Sequence, residues 1–361
     1  MMSSTLAQRI GSVVINKAGH TKTPVMAAAA WHAMRARIPL VDFVVDVRDA
    51  RLPLSSESHI LNTSLTSRRI IVFNKLDLAV PSLIKEWMTH FESRNFATCG
   101  VNSHNKQSIQ QLINFLQGQV RSLRKTDRER NTITMMLCGI PNVGKSALAN
   151  ALHQIGRISA AEKGKLKHAV VSPFPGETKS ISSLKIASHP SIYILDTPGL
   201  LPPKMSDCNV YAKLALTGAI GDSLVGEKLL AQLFLSILNL SNEHHKWEKL
   251  STFKEAPLVK DDITDKPVSN KTQTKDFSTD HTKDSVVLSV RSRLAEAISS
   301  FKGNLHEEKD MMRLIEVEFL SLREAFNVHK GSDEDIDHKV AVKLLNLYRT
   351  GRLGQYILDN L

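Results

Sequence analysis

The sequence predicts an α/β domain with a mostly parallel sheet, followed by a smaller, mainly α-helical domain. Three observations carry that expectation. From Pro39 to Gly199, short apolar runs alternate with amphipathic stretches, the pattern of strands joined by helical crossovers. Beyond "DTPG" at 196–199 no comparable strands occur, and "EKLLAQLFLSILN" at 227–239 repeats apolar residues at helical spacing. The chain of 361 residues also exceeds one typical domain. The expected partition is a basic extension over 1–37, the α/β domain over 38–205 and the helical domain over 206–361, with a disordered insertion at about 256–284.

The first 41 residues contain no Asp or Glu, while Arg9, Lys17, Lys22, Arg35 and Arg37 supply positive charge. Ser3, Ser4, Thr5 and Ser12 add hydroxyls, and Leu6, Ile10, Val13 and Val14 share a helical face opposite Arg9. This composition favours a mitochondrial targeting segment. The competing reading is an ordinary basic extension of a cytosolic RNA-binding protein.

Six strands are expected: "VDFVVDV" (41–47), "RIIVFN" (69–74), "ATCGVN" (97–102), "TITMMLC" (132–138), "SSLKIA" (182–187) and "SIYILD" (191–196). Helical patterns such as "SIQQLINFLQGQVRSL" and "KSALANALHQI" lie between them. The tract "APLVKDDITDKPVSNKTQTKDFSTDHTKD" at 256–284 is rich in Lys, Asp, Thr and Ser with one aromatic, too little apolar surface to offset the entropy of ordering. Helical patterns return in "RSRLAEAISSF", "DMMRLIEVEFLSLREAF" and "DHKVAVKLLNLYRT".

"GIPNVGKS" at 139–146 has the P-loop pattern, after an apolar strand and before a helix. In such a loop the backbone N–H groups of Asn142, Val143, Gly144, Lys145, Ser146 and Ala147 turn toward phosphate, aided by the helix N-terminus. Lys145 is expected to reach the β and γ phosphates and the Ser146 hydroxyl to ligate Mg²⁺. Asp196, emerging from "SIYIL", is placed to hold Mg²⁺ through a water, and the Gly199 N–H to meet the γ-phosphate. "PFPGETKS" at 173–180 supplies Thr178 as a second magnesium-binding hydroxyl, with a plain surface turn as the alternative.

"NKLD" at 74–77 follows the strand "RIIVF". Asn74 is expected to bond a guanine ring, Lys75 to lie along the base and ribose, and Asp77 to accept from N1–H and the exocyclic amine, with Leu76 counted among the GTP-binding residues. Adenine would leave that carboxylate unsatisfied and be rejected. "VNSHN" at 101–105 can bring the Asn102 and Ser103 backbone to the base edge. The implied ligands are GTP or GDP with Mg²⁺. The base reader precedes the phosphate loop, the reverse of the usual GTPase order.

The net charge is +11, an excess that draws the chain toward polyanions such as RNA. Basic residues cluster at Lys163, Lys165, Lys167 and His168, at Arg121, Arg124, Lys125, Arg128 and Arg130, and at Lys343, Arg349 and Arg352. Tyr348 and Tyr356 are candidate stacking groups, although tyrosines at helical spacing more often enter a core. The three cysteines, Cys99, Cys138 and Cys208, lack metal-ligand spacing, which disfavours a zinc site or a disulfide framework. No apolar run approaches the roughly 18 residues of a bilayer span, so a soluble chain without a transmembrane segment is expected.

The order of base reader, base-edge loop, phosphate loop, Thr switch and "DTPG" resembles the circularly permuted GTPases of ribosome assembly, in particular the mitochondrial ribosome-associated GTPase 1 type, called DAR GTPases in plants. "DARLPLSS" (49–56), "LALTGAIGDS" (214–223) and "LLNLYRTGRLGQYILD" (344–359) extend the resemblance over nearly the whole chain. It implies a GTPase that binds a large ribosomal subunit precursor and its rRNA, in the mitochondrial matrix, with peripheral inner-membrane association through mitochondrial ribosomes. A nucleolar or cytosolic assembly GTPase and a non-hydrolysing RNA scaffold are the alternatives. Leu200 and Leu201 stand where many GTPases have a water-positioning Gln, which implies slow intrinsic hydrolysis and stimulation by the particle. Asn142 matches the K⁺-coordinating residue of K⁺-activated relatives, or else is a turn former. The family's N-terminal Gly-His-Met-Ala is replaced by "KAGHTKTPVMAAAAW" at 17–31. His20 keeps the Gly-His pair as a catalytic candidate, but Val25 takes the His place by distance. Permutation lets the segment after Gly199 run straight into the second domain, a route for nucleotide-dependent reorientation.

Overall fold

The computed structural model describes residues 4–20, 25–61, 68–126, 132–159, 181–188, 190–201, 207–241, 243–247 and 284–361. The sheet has six strands: β1 (Phe43–Asp49), β2 (Arg69–Asn74), β3 (Ala97–Val101), β4 (Thr132–Cys138), β5 (Ser182–Ser188) and β6 (Ser191–Asp196). Their order is β3-β2-β1-β4-β6-β5. All pairings are parallel except that of β5 with β6. The expected strands are thus present, with the first shifted two residues toward the C-terminus. β1 is buried along its whole length, as a parallel strand with neighbours on both edges and covered faces must be.

Connections after β1 run outward through β2 and β3, then return to the other side of β1 at β4. That reversal makes a crevice at the carboxyl ends of β1 and β4, where open parallel sheets bind ligands. Helices α1 (Ser4–His20), α2 (Val25–Arg37), α3 (Pro81–Glu92), α4 (Lys106–Thr126), α5 (Lys145–Ser159), α6 (Cys208–Leu216) and α7 (Asp222–Val225) accompany the sheet. One apolar cluster joins Met34, Ile38, Val44, Ile60 and Met136, and a second joins Ile71, Phe73, Ile84, Trp87 and Phe91.

The N-terminal amphipathic face has a structural use. Leu6, Ala7, Ile10 and Val14 are buried, and α1 packs against α6. Residues 4–16 are therefore part of the folded unit, not a free extension.

The chain divides into two compact units, one over Ser4–Leu230 with Gln355–Leu361, the other over Ala231–Gly354. The border lies at 230/231, not 205/206, because α6 is held by α1. The segment after Gly199 therefore does not run straight into the second unit: α6 and α7 intervene, within the first. The expected insertion at about 256–284 lies outside the described residues except for Asp284.

The second unit contains most of α8 (Glu227–Asn239) and α9 (Ser285–Ser300), α10 (Glu308–Ala325) and α11 (Asp333–Arg349). Asp284 caps α9 through the N–H groups of Val286 and Val287, and Ser332 caps α11 at Asp335. Tyr348 is 2% exposed with its ring 4.5 Å from that of Phe234. Tyr356, in the first unit, is also buried, so both tyrosines are core residues and not stacking platforms.

Glu318 is fully buried in the helical unit and accepts from Asn239 Nδ2 at 3.1 Å. Burial pushes its carboxyl up to about 8, against the opposing hydrogen bond. Between its ordinary 4.5 and about 8, the folded chain keeps a proton that the unfolded chain has lost, so stability falls as pH rises through that window. Glu318→Gln is expected to remove this slope. In urea titrations near pH 5 it should match the wild type, and above pH 8 it should exceed it by about 4 kcal/mol.

Candidate nucleotide site

Three loops meet at the carboxyl ends of β2, β3 and β4. The first is the base-reading turn after β2. Lys75 adopts a left-handed conformation (φ 62°, ψ 43°) and starts a single 3-10 turn over Leu76–Leu78. That sharp reversal presents Leu76 and Asp77 beyond the strand end. Asn74, 2% exposed, faces back into the site and binds the other two loops. Its Nδ2 donates to the Val143 carbonyl at 2.8 Å. Its Oδ1 accepts from the Ser103 hydroxyl at 2.6 Å and from the Ser103 N–H at 3.3 Å. The amide has two N–H groups, so one can serve Val143 while the other serves a base.

The base-edge loop is held in turn by Asn102, whose N–H donates to Ser108 Oγ and whose Oδ1 accepts from the His104 N–H, both at 2.9 Å. The sequence places the Asn102 and Ser103 backbone at the base edge, an expectation that concerns the main chain and not the side chains. The structure brings Ser103 to Asn74 and gives the Asn102 side chain to its own turn.

The phosphate loop begins at Gly139 and passes into α5 at Lys145. Gly144 has φ 94°, and a Cβ there would overlap the Asn74 amide. Glycine is required both for the left-handed backbone and for that approach. Asn142 is also left-handed (φ 59°), and its Nδ2 donates to the Gly218 carbonyl at 2.7 Å. Gly218 belongs to "LALTGAIGDS", where it ends α6: its N–H donates to Ala215 O and the Ala219 N–H to Leu214 O. Asn142 thus ties the phosphate loop to the helix that follows "DTPG".

Lys145 is buried, and its Nζ donates to the Ile140 carbonyl at 2.8 Å. Burial pulls the ammonium down to about 8, with the Asp196 carboxylate opposing. Ser146 Oγ donates to Asp196 Oδ2 at 2.7 Å. Asp196 Oδ1 is buried without a hydrogen-bond partner, and burial raises this carboxyl against the pull of Ser146 and Lys145. A hard cation resolves both conditions, since it supplies the orphaned oxygen with charge and accepts a hydroxyl beside it. Mg²⁺ commonly uses one or two carboxylates with substrate phosphates and water, and no cluster of three or more His, Cys, Asp or Glu exists among the described residues. Ser146 and Asp196 fit that ion.

Thr197 Oγ1 donates to Leu137 O at 2.5 Å, pinning the start of "DTPG" to β4. A Cβ on Gly199 would fall 2.6 Å from Pro141 Cα and 2.9 Å from Lys145 Nζ, so only glycine brings this backbone against the phosphate loop. Leu200 packs onto the cluster of Met34, Ile38 and Met136. Thr178, Lys163, Lys165, Lys167, His168, Arg128 and Arg130 lie outside the described residues, as does the side chain of His20.

Asp49, at the end of central strand β1, is the ionic centre of the base side. It accepts from Lys75 Nζ at 3.0 Å and from Arg51 at 3.0 Å through Nε and 2.8 Å through Nη2. Burial alone would raise its carboxyl, but Arg51 and Lys75 outweigh that and hold it well below the usual carboxylate range. The Ala50 N–H also donates to the Asn74 carbonyl at 2.8 Å. A second buried ionic group, in which Asp46 meets Arg48 at 2.8 Å and Arg69 at 2.5 Å, fixes the loop after β1 through Arg48 Nη1 and the Pro53 carbonyl at 2.7 Å. Asp49 and Arg51 were visible as a sequence signature but carried no assigned role. The available signal was position, since charged residues ending the central parallel strand point into the ligand crevice.

With this geometry established, comparison with known proteins is decisive. "DAR GTPase 2, mitochondrial" of Arabidopsis thaliana is 52% identical over 361 residues, covering 98% of this chain and 95% of its own. The chain belongs to the DAR GTPases. A family model described as "50S ribosome-binding GTPase" matches residues 134–261. "Mitochondrial ribosome-associated GTPase 1" of Xenopus tropicalis is 34% identical over 58% of this chain and 67% of its own. "Ribosome biogenesis GTPase A" of Bacillus pumilus is 33% identical over 55% and 67%.

In this DAR GTPase, Asp49→Asn leaves the buried Arg51 and the partly buried Lys75 without their shared counter-charge. Urea denaturation is expected to show a loss of about 3 kcal/mol. Fluorescent GDP titration should show at least ~10-fold weaker binding, because Lys75 loses the partner that fixes it.

Proposed function

We propose that this DAR GTPase hydrolyses GTP to GDP and phosphate during assembly of the large mitochondrial ribosomal subunit. It binds the rRNA-containing precursor with GTP and leaves after hydrolysis. The observation that carries the reading is the single Asn74 amide joining the base-reading turn to the phosphate loop, which couples recognition of guanine to recognition of phosphate. The printed names of the relatives support the particle and the organelle. The net charge of +11 suits contact with rRNA. No helix among the described residues is long and apolar enough to cross a membrane, so inner-membrane association would run through the ribosome.

Asn74, Lys75, Leu76, Asp77, Asn102 and Ser103 hold the base, and residues Asn142 to Ala147 the phosphates. Ser146, Thr178 and Asp196 hold Mg²⁺, which when bound supplies charge neutralisation on the phosphates. Lys145 lies beside Gly199, where its charge and the Gly199 N–H can meet the γ-phosphate together. Asn142 is the candidate K⁺ ligand.

Leu200 cannot orient water by hydrogen bonding, and its partly buried side chain packs against an apolar cluster. That observation favours a low intrinsic rate, and it also gives ground to a second reading, a scaffold that binds GTP without hydrolysing it. Turnover measured in K⁺ and in Na⁺, with and without purified large mitochondrial subunits, separates the two. The GTPase reading expects about tenfold or greater stimulation by the particle and a higher rate in K⁺. GTP binding with no turnover above the uncatalysed background in any of the four conditions establishes the scaffold instead.

A further inference from the structure

The last residues of the chain, Gln355–Leu361, belong to the GTPase unit and build the underside of the base-reading turn. Gln355 Nε2 donates to the Asp77 carbonyl at 3.0 Å, and the Tyr356 N–H to the Leu78 carbonyl at 3.1 Å. Ile357 packs on the apolar cluster of Ile71, Phe73 and Trp87, beside Leu76. The Leu358 N–H then donates to the Arg51 carbonyl at 2.9 Å. Asp359, 6% exposed, accepts from the N–H groups of Leu54 and Ser55 at 2.8 Å each, from Ser55 Oγ at 2.5 Å and from Lys213 Nζ at 2.8 Å. One short segment thus holds the turn that carries Asp77, the loop that carries Arg51, and α6.

The turn needs such support. A single 3-10 turn entered through a left-handed lysine has few hydrogen bonds of its own, yet the Asp77 carboxylate must meet two adjacent donors of guanine at once. The carbonyls of Asp77 and Leu78 end that turn, and each accepts from the tail. Fixing them fixes the direction in which the Asp77 side chain leaves the backbone. Selectivity built on paired hydrogen bonds is lost when the supporting shell loosens by a fraction of an ångström.

We infer that the C-terminal tail sets guanine selectivity, with Gln355 and Asp359 as positioning residues that aim Asp77 at the base. The inference rests on reading Asn74, Lys75 and Asp77 as the guanine reader. Inosine diphosphate lacks the exocyclic amine, so the ratio of GDP to IDP affinity reports the aim of Asp77 and not general nucleotide binding.

The test titrates GDP and IDP against the full chain as wild type, Gln355→Ala, Asp359→Asn and Leu361→Ala, with thermal unfolding of each. Gln355 is only half-buried, so its truncation leaves a folded protein even if Asp359→Asn does not. Gln355→Ala is expected to weaken GDP about 5-fold or more while IDP changes less, shrinking the GDP to IDP ratio at least ~3-fold. Asp359→Asn, where folded, is expected to shift the ratio the same way, and Leu361→Ala to match the wild type. An unchanged ratio in Gln355→Ala, whether both affinities hold or both fall equally, overturns the inference. A wild type that does not prefer GDP to IDP overturns the guanine reading itself and the inference with it.

Discussion

The architecture of the site depends on one buried side chain. Asn74 donates to Val143, 69 residues later, and accepts from Ser103, 29 residues later. The bonds are local in space but distant in sequence, so they form only after β2, β3 and β4 have found their places. A buried amide in hydrocarbon surroundings costs roughly 1–3 kcal/mol when a partner is missing, so the three loops must reach their positions together. Gly144 records the same constraint from the other side, since any side chain there would take the space of the Asn74 amide.

The permuted order becomes intelligible from the sheet. Strand order, not sequence order, decides which loops meet, and β2, β1 and β4 are neighbours whichever is made first. The base reader leaves β2, the phosphate loop leaves β4, and Asp49 stands between them at the end of β1. Burial opposes the charge on Asp49, and Arg51 with Lys75 restores it. After Gly199 the chain stays in the same unit through α6 and α7, and the Asn142 contact with Gly218 ties the phosphate loop to α6.

Much of this was legible in the sequence. The strands "RIIVFN", "TITMMLC" and "SIYILD" fall where their apolar runs place them, because strand-loop-helix contexts are set by local pattern, and "GIPNVGKS" and "NKLD" meet because strand order brings β2 and β4 to either side of β1. The remainder was hidden for physical reasons. Leu6, Ile10 and Val14 form an amphipathic face that composition cannot distinguish from a targeting helix, and only packing on α6 gives it a structural role. Tyr348 and Tyr356 are core residues because their neighbours, not their spacing, exclude solvent. Asp359 lies more than 300 residues from Ser55, a separation no local pattern reports.

The central claim is that Asn74 locks the phosphate loop to the base reader. Amide hydrogen exchange of the nucleotide-free chain, comparing Asn74→Ala with wild type, tests it most directly. The account predicts faster exchange in both 101–105 and 139–146 in the variant, with β1 and β4 unchanged. Identical exchange of the phosphate loop in the two proteins would contradict it.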